Sequence, residues 1–123
     1  MIVKEFGESY EFIEYVRERF KKGIPLPVKL IIVKLKEDEN KAHYLHILEL
    51  GIDETYFIDS GTDYSGTGGR IKRQMDQFFD EIEKMITIPE MVIRKEYEMP
   101  WELYWRLKVM FHDLYTKEEV TIP

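Results

Sequence analysis

Residues 28–36, VKLIIVKLK, put Leu30, Ile31, Ile32 and Val33 in succession, so an extended chain here is apolar on both faces. Their β-branched side chains favour a strand, and a strand without a wet face belongs in the middle of a sheet. The neighbouring residues supply partners for it. A polar turn at Glu37, Asp38, Glu39 and Asn40 leads into a second strand at 42–50, a segment that also fits a helical pattern. Residues 51–54 turn again into a third strand at 55–59, and short turns between successive strands predict an antiparallel meander. Residues 1–6 suit a short edge strand.

The clearest helical pattern lies at 67–86. Ile71, Met75, Phe78, Ile82 and Met85 recur at steps of three and four, and Phe79 and Ile86 widen the stripe. A second helix is predicted over 8–22, with Tyr10, Ile13, Val16 or Arg17, and Phe20 on one face. Gly23 ends it, and Pro25 and Pro27 keep the chain extended afterwards. Met91, Ile93, Lys95 and Tyr97 alternate with Val92, Arg94, Glu96 and Glu98 as in a strand that stops at Pro100. The next segment, WELYWRLKVMFHDLY, fits two templates. Leu103, Leu107, Met110 and Leu114 suit a helix, whereas Leu103, Trp105, Leu107, Val109 and Phe111 alternate without a miss. The alternation accounts for the Trp and Val, and predicts a strand paired with 91–98 through a turn at 99–101. The expected fold is α+β: a single domain over 1–123, with an antiparallel sheet of five or six strands. Two amphipathic helices, 8–22 and 67–86, pack on one face of it.

Composition narrows the function classes. A chain of 123 residues, 44% hydrophobic and 34% charged, has the balance of a soluble globular domain. The longest apolar run, 30–33, is far too short for a membrane span, and the N-terminus lacks the basic and then apolar pattern of a signal peptide. The expected location is cytoplasmic. With no cysteine, the chain has no disulfide framework, thiolate metal site or cysteine nucleophile. That absence, with many Lys, Glu, Ile and Tyr residues, also suits a thermophile. The net charge of −6 is evenly spread, since 9 basic and 12 acidic residues fall in each of 1–61 and 62–123. No basic lobe offsets the repulsion from phosphate, so nucleic acid is not an expected partner.

The first candidate site is the glycine loop at 61–69. Gly61-Thr62-Asp63-Tyr64-Ser65-Gly66 has the G-x-x-x-x-G spacing of a P-loop between a strand and a helix, but Thr67 and Gly68 stand where Lys and Ser or Thr are required. The dinucleotide fingerprint fails as well, at Ile71. No cofactor is therefore indicated. What remains is a helix N-terminus with free N–H groups and partial positive charge, where Ser65, Gly66, Thr67, Gly68, Gly69 and Arg70 are the predicted contacts for a small anionic ligand. The same residues also make a plain capped turn with glycines at left-handed positions. Asp59 and Asp63 weaken any attraction for phosphate. With one histidine, they frame a third reading, a metal-assisted enzyme, although the calcium-loop pattern is missing.

His43 and His46, three apart on a strand, face opposite sides of the sheet and cannot share a metal. One is expected to be exposed and the other to be partly buried with a hydrogen bond. The aromatic segment 101–115 is harder to bury whole. Trp101, Tyr104, Trp105, Met110 and Tyr115 are candidates for a protein–protein patch, in the first instance a homodimer. The sequence thus predicts a non-enzymatic ligand- or partner-binding module, with a homo-oligomeric adaptor acting through 101–115 as the alternative.

Overall fold

The computed structural model describes residues 1–38, 41–62, 66–103, 105–107 and 109. Strand β1 (Ile2–Phe6) and helix α1 (Ser9–Phe20) precede three strands, β2 (Val28–Asp38), β3 (Lys41–Leu50) and β4 (Glu54–Thr62). Helix α2 (Gly66–Met85) and a short 3-10 turn, Pro89–Met91, lead to strand β5 (Val92–Pro100). A second 3-10 turn, Trp101–Leu103, follows, and Trp105, Arg106, Leu107 and Val109 are helical.

The five strands form one sheet in the order β1-β4-β3-β2-β5. The β2–β3–β4 meander is antiparallel as expected, but β1 pairs parallel with β4, and β5 pairs parallel with β2. The sheet is therefore mixed rather than antiparallel. The reason lies in the connections: a helix carries the chain back along the sheet, so the strand after it runs in the direction of the strand before it. Through α1 and α2, four strands share one direction, and β3 alone runs against them.

Both helices pack on one face. Phe12 and Val16 of α1 and Ile71, Met75, Phe78, Phe79 and Ile82 of α2 bury Val28, Leu30, Leu48, Leu50, Tyr56 and Ile58. Burying each large apolar side chain is worth roughly 1.5–3 kcal/mol. The expected stripe of α1 is shifted: Phe12 takes the core position, while Tyr10 keeps its hydroxyl at the surface, 60% exposed. Ser9 donates a hydrogen bond to Gln74, and Arg19 of α1 grips Glu54 at the start of β4 with Nη2–Oε1 and Nε–Oε2 distances of 2.7 and 2.9 Å.

On the opposite face Val3, Val33, Leu35, Leu45, Ile47 and Phe57 form a second cluster, with Met99, Trp101 and Leu107 packed against it. This explains the double-sided run at 30–33: Leu30 and Ile32 face the helices, and Val33 faces the other cluster. Where a strand was expected after Pro100, the described residues up to Val109 are instead helical, which makes a third helical segment. The rest of the expected strand lies outside the described residues. Alternation and a helical step of four coincide over so short a stretch: Leu107 packs inward, while Trp105 and Val109, four apart, are 59% and 55% exposed. The β3–β4 turn needs Gly51, whose φ of 61° is left-handed and whose N–H donates to the Pro27 carbonyl at 2.9 Å.

Candidate functional site

Side chains of neighbouring strands line up in rows on the helix-facing side of the sheet. At the amino end of β2 the rows are apolar, with Val28 beside Leu50 and Leu30 beside Leu48. Towards its carboxyl end they turn polar: Ile32 lies between His46 and Glu96, and Lys34 lies between Tyr44 and Glu98. The first half of α2 crosses above these two rows and brings Lys72 and Asp76, one turn apart, over them. Together the side chains of Ile32, Lys34, Tyr44, Lys72, Asp76, Glu96 and Glu98 surround a cleft of about 330 Å³.

Asp76 is held from two sides. Its Oδ1 lies 2.8 Å from His46 Nε2, and its Oδ2 accepts a hydrogen bond from Lys72 Nζ at 2.7 Å. Lys72 Nζ also sits 4.7 Å from the centre of the Tyr44 ring, a cation–π contact. His46 is completely buried, with its ring edge-on to Phe79 at 5.2 Å. Burial is the main reason its pKa is lowered, helped by the nearby cations Lys72 and Arg94 and opposed by Asp76. For Asp76 burial acts upwards, but the hydrogen bonds from His46 and Lys72 outweigh it and hold the carboxyl below its ordinary value. The pair is thus a neutral imidazole and an ionised carboxylate. His46 Nε2–H donates to Asp76, which leaves Nδ1 a bare acceptor, buried without a hydrogen-bond partner among the described residues. His46 acts on the cleft only through Asp76, whose carboxylate it orients from behind.

The sequence candidates are distributed differently. Gly66, Thr67, Gly68 and Gly69 form the first turn of α2, so these glycines are helical rather than left-handed; in this stretch the left-handed one is Gly61, with φ 71°. Gly69 is buried, and Arg70 is exposed and pairs with Glu8 at 3.6 Å. Ser65 and Asp63 lie outside the described residues, as do Tyr104, Met110 and Tyr115. Asp59 is engaged in local structure: its Oδ1 accepts the Gly61 N–H at 2.9 Å and lies 3.2 Å from His43 Nδ1. His43 stacks at 4.5 Å on Trp101, on the face away from His46, as the three-residue spacing requires. Among the described residues no three His, Asp or Glu side chains are grouped to hold a metal ion. Trp101 is partly buried, and Trp105 presents its ring outward.

A larger trough of about 710 Å³ runs between α1 and α2, lined by Ile13, Phe78 and several long polar side chains. Exposed Arg17 and Glu81 bridge it at 3.1 Å. Its one buried polar neighbour among the described residues, Ser9, is already satisfied by Gln74. The smaller cleft has the buried His46 behind an ionised Asp76, and is the better candidate. Among the described residues no helix is long and apolar enough to cross a membrane. Comparison with protein-family models, curated proteins and solved structures finds no match for this chain.

Proposed function

We propose that this protein is a small-ligand-binding module whose site is the cleft at the carboxyl ends of β2 and β5. The observation that carries this reading is the set of three charges left unpaired around it. Lys72 and Asp76 satisfy each other, whereas Lys34, Glu96 and Glu98 face the same cleft with no ion-pair partner among the described residues. A compact ligand with both an ammonium and a carboxylate complements them, its cation towards Glu96 and Glu98 and its anion towards Lys34. Its size agrees, since 330 Å³ is near the lower end of the roughly 300–1,000 Å³ span of small-molecule sites. Position agrees too, because ligands of open sheets with parallel strands gather outside the carboxyl ends of the strands.

The glycine loop becomes a neighbour of the site. The first turn of α2 contains no acidic residue and starts about 9 Å along the helix from Lys72. An anion bound at that helix start is the second reading, supported by the same end of the sheet.

A thermal-shift and calorimetry panel of amino acids, diamines, nucleotides, inorganic phosphate and divalent ions separates the two. A zwitterion at a hundred times its Kd adds about 2.7 kcal/mol of stability, and the gain disappears in Lys34→Ala and Glu96→Gln. Stabilisation by phosphate that survives Lys34→Ala but not Arg70→Ala moves the site to the loop. A panel with no stabiliser removes the ligand-binding proposal.

A further inference from the structure

The two edges of the sheet are unequal. β1 has five residues, and Val3 and Phe6 are buried. β5 has nine, none of them buried, and among the described residues it pairs with β2 alone. On its face away from the helices Ile93 and Tyr97 are 36% and 43% exposed, two residues on either side of Lys95. An exposed edge of this length, with apolar side chains on its surface, is a template for another strand.

We propose that β5 pairs antiparallel with β5 of a second copy of this chain, about a two-fold axis through Lys95. Such an axis stands normal to the sheet and keeps each side chain on its own face, so only residues of like parity come opposite each other. Centred on Lys95, Arg94 meets Glu96 of the second copy and Ile93 meets Tyr97, each pair occurring twice. In the dimer Glu96 is thus charge-balanced, and Glu98, opposite Val92, is the carboxylate left for a ligand's cation. Opposite charges and a β-branched residue against an aromatic are the favourable cross-strand combinations. Lys95 against its own copy is the one like-charge contact, made by long side chains at an exposed position. Centring on Glu96 also pairs Arg94 with Glu98, but it sets the shorter Glu96 carboxylate against its own copy at the cleft already lined by Asp76 and Glu98. Centring on Tyr97 sets Glu96 against Glu98. Arg94 is held within its own chain by Asp80 at 2.6 Å and Glu83 at 3.2 Å, and its side chain, one quarter exposed, adds Glu96 of the second copy as a further carboxylate partner.

Sedimentation velocity and native mass spectrometry of the full chain test this by charge exchange. The wild-type chain associates to a dimer in the micromolar range. Arg94→Glu and Glu96→Arg each place like charges opposite each other twice and weaken association by about tenfold or more. Mixing the two variants restores complementarity at both positions and gives a heterodimer. Hydrogen exchange on the unmutated chain reads the same edge without a substitution. The alternate β5 amides that face away from β2 are slow in the dimer and become fast on dilution. A monomer at all concentrations overturns the proposal, as does a mixture that stays monomeric. Outward amides that remain slow at every dilution also overturn it, because the chain then covers its own edge.

Discussion

Asp76→Ala strands a buried donor. His46 has no solvent contact, and its Nδ1 already lacks a partner among the described residues, so removing Asp76 leaves both ring nitrogens unsatisfied. An unsatisfied buried donor costs about 1–3 kcal/mol, and loss of the Lys72 contact adds a few tenths. His46→Leu works in the opposite sense. It gives up the hydrogen bond to Asp76, but it removes a desolvated polar ring and places an aliphatic side chain against Phe79. The two effects nearly offset, and the variant should stay within about 1 kcal/mol of wild type. Combined with Asp76→Ala, the leucine replaces a stranded imidazole and recovers about 1–2 kcal/mol of the loss. Urea denaturation followed by circular dichroism at neutral pH measures all four corners of the cycle. An Asp76→Ala variant as stable as wild type would show that His46 does not depend on this carboxylate. So would a His46→Leu substitution that is more damaging in the Asp76→Ala background than alone.

Three further outcomes follow from the same contacts. Because the folded pKa of His46 lies below its unfolded value of about 6.5, the unfolded chain takes up the proton first. Its contribution is complete above pH 6.5 and declines as pH falls from there towards the folded pKa, so urea midpoints should drop over that window in wild type and flatten in His46→Leu. Glu54→Gln loses the charge of a carboxylate that Arg19 and the buried Tyr56 hydroxyl hold below its ordinary pKa, and should destabilise by about 1.5–3 kcal/mol above pH 5. That difference shrinks as acid protonates the wild-type Glu54, which equilibrium unfolding at several pH values will show. Gly51→Ala places a Cβ 3.3 Å from Pro25 Cβ at a left-handed φ of 61°, and a loss of about 1–2 kcal/mol in thermal or urea unfolding is expected.

The elements of this fold were legible wherever one period dominated. The α2 stripe from Ile71 to Ile82 matched the helical template, and the β-branched, two-faced run at 30–33 pointed to a strand inside the sheet, where β2 lies. Strand direction was less visible, although the information was present. Helical connections from β1 and from β4 already imply parallel returns, and the meander alone suggested an antiparallel sheet. At 101–109 the two templates shared the same apolar residues, Leu103 and Leu107, so periodicity could not choose between them. Tertiary packing did, by seating Leu107 on the cluster of Val33, Leu35 and Leu45.

The candidate site was harder to read for a different reason. Its members come from three strands and one helix, and each looks ordinary where it stands. Lys72 and Asp76 resemble any exposed i,i+4 pair, and Lys34, Glu96 and Glu98 resemble the wet positions of strands. The residue that marked the place was His46, which shares a strand face with Leu48 and Leu50. A polar side chain at a core position requires a partner on whatever packs above it. The element above is α2, whose stripe puts Met75 and Phe79 in the core and Asp76 beside them at its edge. Strand parity and helical phase put His46 and Asp76 on facing surfaces, but the crossing of α2 over β3 that joins them is set by tertiary packing. The glycine loop drew attention by its resemblance to a phosphate motif, while the histidine six residues into β3 carried the physical constraint.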